Sequence, residues 1–299
     1  MSDNTLETIP DLSELDNINL VRPKLDIIFK KMMSDKELLR SFLSNALKVA
    51  EDSIKEIEFL NTEILPENSE GKLSRMDLRL DVDGRSINCE IQVNKQHDYA
   101  DRVLYLWARL FGGGLERGEP YGKLKESICI NIVGFEMFSA PEYHSHFTVM
   151  ETTRHEVLSD KCGIYFFDLT KIHDIREKVN IDDKLELWLQ LINAETEEEF
   201  DMLEQTGVVP IQKAVSSIHA MRRDRAIRQA AFDREIDLHD EATRMEGARR
   251  DGKAEGKAEG ILEKAIKTAI SMLKEGIMPE TVAKCTELPL DQVRQLQPQ

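Results

Sequence analysis

The sequence predicts an α/β protein in which a mixed sheet flanked by helices precedes an all-helical region. Apolar residues occupy every second position over residues 76–94, which is typical of paired strands with one buried face. Residues 127–138 are almost continuously apolar, as expected of a strand that is buried on both faces. Beyond about residue 175, apolar residues recur at helical spacing.

These patterns divide the chain into four parts. Its 299 residues are enough for two domains, or for one core with a long appendage. We expect a disordered tail, a mixed-sheet domain, a helical accessory region and a C-terminal helical segment, over residues 1–20, 21–175, 176–250 and 251–299.

Composition limits the classes of function. The formal net charge of −16 argues against a protein that coats nucleic acid through its overall field. It leaves open an enzyme with a local basic groove or with a divalent cation at its centre. No apolar run approaches the roughly 20 residues of a membrane span, so no membrane insertion is expected.

The N-terminal sequence and the spacing of the cysteines both indicate the compartment of the protein. The acidic first 20 residues resemble neither a secretory signal nor a transit peptide. The four cysteines stand apart without a Cys-x-x-Cys spacing, which predicts neither a zinc site nor a disulfide framework. We therefore expect a cytoplasmic protein.

The helices of the first half are indicated by their apolar spacing. Residues 22–47 predict a helix broken near Ser34 and Asp35, with Pro23 at its first position. A strand over 53–61 and the hairpin follow. Residues 97–114 predict a second helix, stopped by three consecutive glycines.

The later elements are strands and then helices. Strand-like runs cover 144–153 and 163–172, and residues 182–194 form an amphipathic helical pattern. Residues 208–275 predict one or two long helices. The repeat GKAEGKAEG (252–260) predicts a hinge or a frayed region there, because each glycine costs a helix about 1 kcal/mol relative to alanine.

The hairpin over residues 76–94 brings two acids face to face. A two-residue turn at Asp83-Gly84 pairs apolar residues on one face, namely Leu80 with Ile87, Leu78 with Cys89 and Met76 with Ile91. On the other face Asp77 lies opposite Glu90, and Gln92 lies diagonally from Asp77. Like charges opposite each other destabilise a sheet, so this pairing needs a physical reason.

One explanation is a divalent cation between the two carboxylates. Directly opposed residues have Cβ atoms about 5 Å apart, and hard oxygen ligands without His or Cys favour Mg²⁺ or Mn²⁺. The alternative is an amphipathic hairpin with a solvated polar face, on which Arg79 neutralises either acid. Both explanations remain open at the level of the sequence.

A polar stripe on the second helix also has two possible explanations. It consists of Asp98, Arg102, Tyr105 and Arg109. The arginines could hold phosphate oxygens beside the two acids, or the stripe could be a salt-bridged outer face. Asp26 lies in the first turn of the first helix, where a carboxylate also favours the helix dipole.

Five stretches together resemble a known pattern. They are KLDIIFKKM, SRMDLRLDVDGRSINCEIQV, RVLYLWARLF, GEPYGKLKESICINIVGF and GKAEGKAEGILEKAIKTAISMLKEG. In order and spacing the chain is similar to the Rpn family of recombination-promoting nucleases, also described as transposases, within the PD-(D/E)XK nuclease superfamily. The similarity extends from about residue 22 to the end.

The resemblance implies a Mg²⁺-dependent DNA endonuclease, with Mn²⁺ as a substitute, that promotes recombination. It places residues 21–175 in a restriction-endonuclease-like core. Asp77 and Glu90 take the places of the two acids, Gln92 that of the lysine, and Asp26 that of an acid on the first helix. Gln92 departs from the general pattern because it carries no charge.

The mechanism that follows uses the neighbouring groups as well. The carbonyl of Ile91 would assist Asp77 and Glu90 in binding the cation. Gln92 would position a water molecule, Arg102 would steady the phosphate, and Tyr105 would brace Arg102 or contact the nucleic acid.

The C-terminal part has its own patterns. Residues 278–296 have the rhythm of a helix-turn-helix, which could bind DNA or serve as a packing unit. The basic stripe over 220–235 could guide DNA or form salt bridges with a neighbouring helix. The long helices could also drive homo-oligomer formation.

Two other classes of function stay open. The chain could be a nuclease-like fold without catalysis that acts as a DNA-binding or regulatory module. It could instead be a structural oligomer in which the hairpin face is merely solvated.

Overall fold

The computed structural model describes residues 20–64, 74–115 and 118–296. The expected N-terminal tail, up to residue 19, lies outside the described residues. The chain divides into two compact units, one ending at Ile236 and the other beginning at Asp237. Within the described ranges, every helix is too short or too polar to cross a membrane.

The first helical region is broken where the sequence predicts a break. Helix α1 covers Asp26–Met33 and helix α2 covers Lys36–Leu47. The carboxylate of Asp35 accepts hydrogen bonds from the N–H groups of the first turn of α2, which starts this helix anew. Pro23 does not occupy the first helical position as expected, because α1 begins only after Leu25, and Pro23 lies in the preceding turn.

The first unit is built around a six-stranded mixed sheet. Its strands stand in the order β1-β4-β5-β6-β8-β7. Strands β4 and β5 form the predicted hairpin, β5, β6 and β8 run parallel, and β7 closes one edge as an antiparallel strand. The ranges are β1 Ile57–Leu60, β4 Leu78–Val82, β5 Arg85–Gln92, β6 Ser127–Val133, β7 His144–Phe147 and β8 Cys162–Asp168. A separate small ladder joins β2, Glu63–Ile64, to β3, Ser74–Arg75.

Helix α3, Tyr99–Gly112, covers one face of this sheet. Its predicted apolar stripe is buried against alternate residues of the parallel strands. The cluster includes Tyr99, Val103, Leu106, Leu110, Cys129, Val133, Ile164 and Phe166. All seven residues of β6 are buried, which confirms the prediction of a strand covered on both faces.

Four helices of this unit pack on one another. Besides α1 and α2 they are α4, Lys184–Asn193, and α6, Val209–Arg223. Edge-to-face contacts link Phe29 of α1 to Phe42 of α2 and Phe42 to Trp188 of α4, with ring centroids 6.4 and 6.0 Å apart. These contacts fix the position of α1.

The basic stripe over 220–235 is used at least in part for salt bridges. Arg222 is buried and pairs with Glu197 at the start of α5, Glu197–Gln205, and its guanidinium lies 4.5 Å from the centre of the Phe200 ring. Arg234 forms an ion pair with Asp26, with 2.8 Å between Nε and Oδ1. The salt-bridge interpretation therefore holds for both arginines.

Helix α7 covers Arg225–Lys274 and continues through the glycine repeat without a break. The predicted hinge over 252–260 is therefore wrong. The residues between the glycines are Lys, Ala and Glu, which are strong helix formers. Three glycines weaken such a helix without ending it.

The end of the chain forms a small core of its own. Helices α8, Pro279–Thr286, and α9, Leu290–Gln295, pack with the end of α7 through a cluster of apolar residues. Its buried members are Ala269, Leu273, Val282, Leu288 and Val293. Glu287 adopts a left-handed conformation (φ 57°) in the turn between α8 and α9, within the range 278–296 where the sequence has the rhythm of a helix-turn-helix.

Replacing Gly256 by alanine should stabilise the middle of α7 by about 1 kcal/mol. A Cβ at this position would meet no atom within 4 Å. Hydrogen exchange of the surrounding amides should slow about fivefold, as measured by mass spectrometry. The matched control is Gly84→Ala, which should destabilise the protein because Gly84 has a φ of +81°. Unchanged or faster exchange around residue 256 would contradict the continuous helix.

Candidate active site

The hairpin has the register that the sequence predicts. Leu78 pairs with Cys89, and Leu80 with Ile87. Asp83 and Gly84 both have positive φ angles, 51° and 81°, as a tight two-residue turn requires. The carboxylate of Asp83 also accepts hydrogen bonds from the N–H groups of Lys55 and Glu56, and so ties the turn to the segment before β1.

At the open end of the hairpin, side chains replace the backbone ladder. The paired residues end at Leu78 and Cys89. Beyond them the N–H of Asp77 donates to Oε1 of Glu90 (3.1 Å), and the N–H of Ile91 donates to Oδ2 of Asp77 (3.0 Å). The two carboxylates are thus held next to each other, each by the backbone of the opposite segment.

The expected pairing of Met76 with Ile91 is not formed. Met76 belongs to the apolar cluster beneath α3. The chain therefore leaves the ladder before Leu78, and the departure frees the N–H of Asp77 for the carboxylate of Glu90.

Glu90 does not lie on a solvated face. Its exposed fraction is 3%, and that of Asn88 on the same face is 0%. Strand β5 lies inside the sheet between β4 and β6, and α3 packs against it. The alternative of a solvated polar hairpin face is therefore wrong for this strand. The amide of Asn88 donates to Oε1 of Glu90 (3.1 Å).

Two basic side chains face the acids. Nζ of Lys30 lies 2.8 Å from Oδ1 of Asp77, and a terminal nitrogen of Arg102 lies 3.4 Å from Oε2 of Glu90. Arg79, the residue expected to neutralise the acids, donates instead to the carbonyl of Asn61 (3.3 Å). The neutralising charges come from α1 and α3.

Asp26 belongs to the same group of charges and is linked to Asp77 through Lys30. Its Oδ2 lies 3.7 Å from Nζ of Lys30, and its Oδ1 lies 2.8 Å from Nε of Arg234. A row of alternating charges therefore runs from α7 through α1 to Asp77.

The remaining predicted residues lie at the edge of this group. Nε2 of Gln92 donates to the carbonyl of Asn94 (2.8 Å), at the end of β5. Tyr105 lies on α3, one turn beyond Arg102, with 41% of its surface exposed. Lys95 donates to the carbonyl of Glu136 (3.3 Å) and does not replace the charge that Gln92 lacks.

The burial of Glu90 has an electrostatic consequence. Burial, and to a lesser extent the charge of Asp77, raise the pKa of the Glu90 carboxyl above its ordinary value. Burial also raises the pKa of Cys89 and Tyr99, which flank Glu90. Burial therefore opposes the ionisation of Glu90, and the neutral Cys89 and Tyr99 add no negative charge beside it.

The donor atoms fit a hard divalent cation. Each carboxylate uses one oxygen to accept a backbone N–H, and its other oxygen, Oδ1 of Asp77 or Oε2 of Glu90, faces a basic side chain. In the part of the chain that the structure describes, no group of three or more His, Cys, Asp or Glu residues could hold a metal. A two-carboxylate site suits Mg²⁺, which keeps several waters and binds through one or two carboxylates plus substrate oxygens.

Lys30 is the site residue that the sequence analysis missed. It follows Asp26 by four residues, so the two share a face of α1. This spacing was the available signal, but it indicates only a pair within the helix. The contact with Asp77 depends on the packing of α1 and could not be read from the spacing.

The six-stranded mixed sheet with its flanking helices has the architecture of a PD-(D/E)XK-like α/β fold. The chain belongs to the PD-(D/E)XK nuclease family transposases, whose pattern it matches over residues 23–248. The matched range contains the six-stranded sheet, α1, α3 and the two acids, Asp77 and Glu90. Comparisons with curated proteins and with solved structures find no match.

Replacing Glu90 by glutamine should stabilise the metal-free protein at pH 8 by on the order of 1 kcal/mol. The pKa of Glu90 is higher in the folded than in the unfolded state, where it is near 4.5. Ionisation therefore costs stability, and the cost develops as the pH rises through the folded pKa. Gln can keep the hydrogen bonds from Asp77 and Asn88, while the partly exposed Arg102 turns toward solvent.

The measurement is the midpoint of thermal unfolding in a chelator at pH 8 and at pH 4. The difference between variant and wild type should largely disappear at the lower pH, where Glu90 is protonated in the folded state and mostly protonated in the unfolded state. The control is Glu58→Gln on β1, an exposed position that should show no such dependence. A lower midpoint for Glu90→Gln at pH 8 would refute the argument.

Proposed function

We propose that the protein is a metal-dependent DNA endonuclease. The observation that supports this most directly is the pair of carboxylates, Asp77 and Glu90, cross-bonded to each other's backbone at the end of the hairpin. The family supplies the nuclease character of the fold. A divalent ion would also compensate the charges of these two neighbouring acids, of which Glu90 is 3% exposed.

The two carboxylates would hold Mg²⁺ or Mn²⁺, assisted by the carbonyl of Ile91. When bound, such an ion supplies Lewis-acid activation of the phosphodiester and of the attacking water. The protein contributes a fixed position for both acids, since each is anchored by a backbone N–H. It also contributes a setting of low polarity, in which charges interact more strongly than in water.

The neighbouring side chains would bind and orient the substrate. The side chain of Arg102 is 41% exposed, and it contacts Glu90 at 3.4 Å, so it can reach a phosphate oxygen without leaving the site. Gln92 would position the attacking water through its amide oxygen, and Tyr105 would contact the nucleic acid beside Arg102. Asp26 would act through its ion pairs with Lys30 and Arg234. The DNA ends produced would then serve recombination.

Asp77→Ala and Glu90→Ala should each reduce DNA cleavage at least about 100-fold, because each removes a carboxylate that holds the cation. The assay is nicking of supercoiled plasmid with Mg²⁺, with Mn²⁺ and with a chelator. Asp81→Asn is the control, since Asp81 lies on β4, the strand that follows Asp77, and pairs with Lys125 (2.5 Å) away from the acids.

The control variant should cleave like the wild type. Cleavage by Asp77→Ala or Glu90→Ala at the wild-type rate would refute the assignment of the acids. Tight DNA binding by the wild type without metal-dependent cleavage would select the alternative, a nuclease-like DNA-binding or regulatory module.

A further inference from the structure

The site lacks a cationic residue at the position where the general pattern has lysine. Position 92 is glutamine, which can neither carry a charge nor titrate. Its amide is engaged with the carbonyl of Asn94. The basic residue nearest in the sequence, Lys95, is engaged with the carbonyl of Glu136.

A lysine from another element lies at the acids instead. Lys30 of α1 places its Nζ 2.8 Å from Oδ1 of Asp77, the oxygen that accepts no backbone hydrogen bond. We propose that Lys30 is the active-site lysine of this protein and that its ammonium group contacts the phosphate to be cleaved. This inference rests on the proposed endonuclease function.

The position of Lys30 is fixed by its neighbours. Asp26 lies one helical turn before it, with 3.7 Å between Oδ2 and Nζ, and Asp26 is itself held by Arg234 at 2.8 Å. The edge-to-face contact of Phe29, the residue before Lys30, with Phe42 fixes the helix against α2. Asp26 would therefore position Lys30, which is a supporting role for the acid that the resemblance places on the first helix.

The ammonium group is suited to this role. It has three N–H donors, and the side chain of Lys30 is 32% exposed, so it is reachable from solvent. Its flexible stem lets it contact a phosphate oxygen brought to Asp77 without a change in the backbone. Arg102 approaches the other acid, Glu90, so the two acids each have a basic partner from a different helix.

The test compares Lys30→Gln with Lys31→Gln, an exposed lysine on the same helix. The first readout needs no metal. Binding of a short DNA duplex is measured by fluorescence anisotropy in a chelator at several salt concentrations. Lys30→Gln should reduce the slope of log affinity against log salt by about 0.9, the value for one lost phosphate contact. Lys31→Gln should leave the slope unchanged.

The second readout is plasmid nicking with Mg²⁺. Lys30→Gln should lower the rate at least about 100-fold, and Lys31→Gln less than about twofold. Lys30→Arg keeps the charge and the ion pair with Asp77, so it should retain the salt slope and cleave at least about tenfold faster than Lys30→Gln. Circular dichroism of each variant confirms that it is folded.

The outcomes separate the two hypotheses. Wild-type cleavage that is lost in Glu90→Ala but kept in Lys30→Gln would overturn the assignment of Lys30 alone. A lower rate with an unchanged salt slope would overturn the phosphate contact, since Lys30 would then act only on Asp77. Absence of metal-dependent cleavage by the wild type would overturn the proposed function itself.

Discussion

The arrangement of the site depends on one exchange of hydrogen bonds. Where the hairpin ladder ends, the backbone N–H groups of Asp77 and Ile91 turn to carboxylate oxygens instead of carbonyls. A buried N–H without a partner costs about as much free energy as a lost hydrogen bond. The two N–H groups are therefore stabilised by the carboxylates, and the carboxylates are held in place by the N–H groups. The backbone therefore enforces a proximity that electrostatics alone would oppose.

The helices around the hairpin supply positive charges that offset the repulsion between the two acids. Lys30 and Arg102 come from helices that lie far apart in the sequence, and each approaches one acid. Arg234 and Asp26 extend the alternation of charge toward α7. Partly buried ion pairs are screened less than exposed ones, so the neighbouring charges of this row interact with one another even in the presence of salt. The neutralisation of the acids therefore depends on how α1 and α3 pack around the hairpin.

Much of the fold could be predicted because its signals are local. The alternation of apolar residues and the Asp83-Gly84 turn determine the register of the hairpin, since a slip by one residue would move the apolar side chains to the wrong face. The burial of Glu90 could not be predicted from the hairpin, because it depends on β6 and α3. The contact of Lys30 with Asp77 was missed for the same reason, whereas the glycine repeat was misjudged because the helix formers around it outweigh its local cost.

The turn of the hairpin has a consequence for how the protein can vary. Surface turns are usually where chains accept insertions most easily. Here the side chain of Asp83 also holds the segment at Lys55 and Glu56, so the turn is joined to a second part of the chain. A longer loop at this point would remove the hold of Asp83 on the segment before β1 and would shift β4 against β5. The tip of this hairpin should thus keep its length in relatives whose other loops differ.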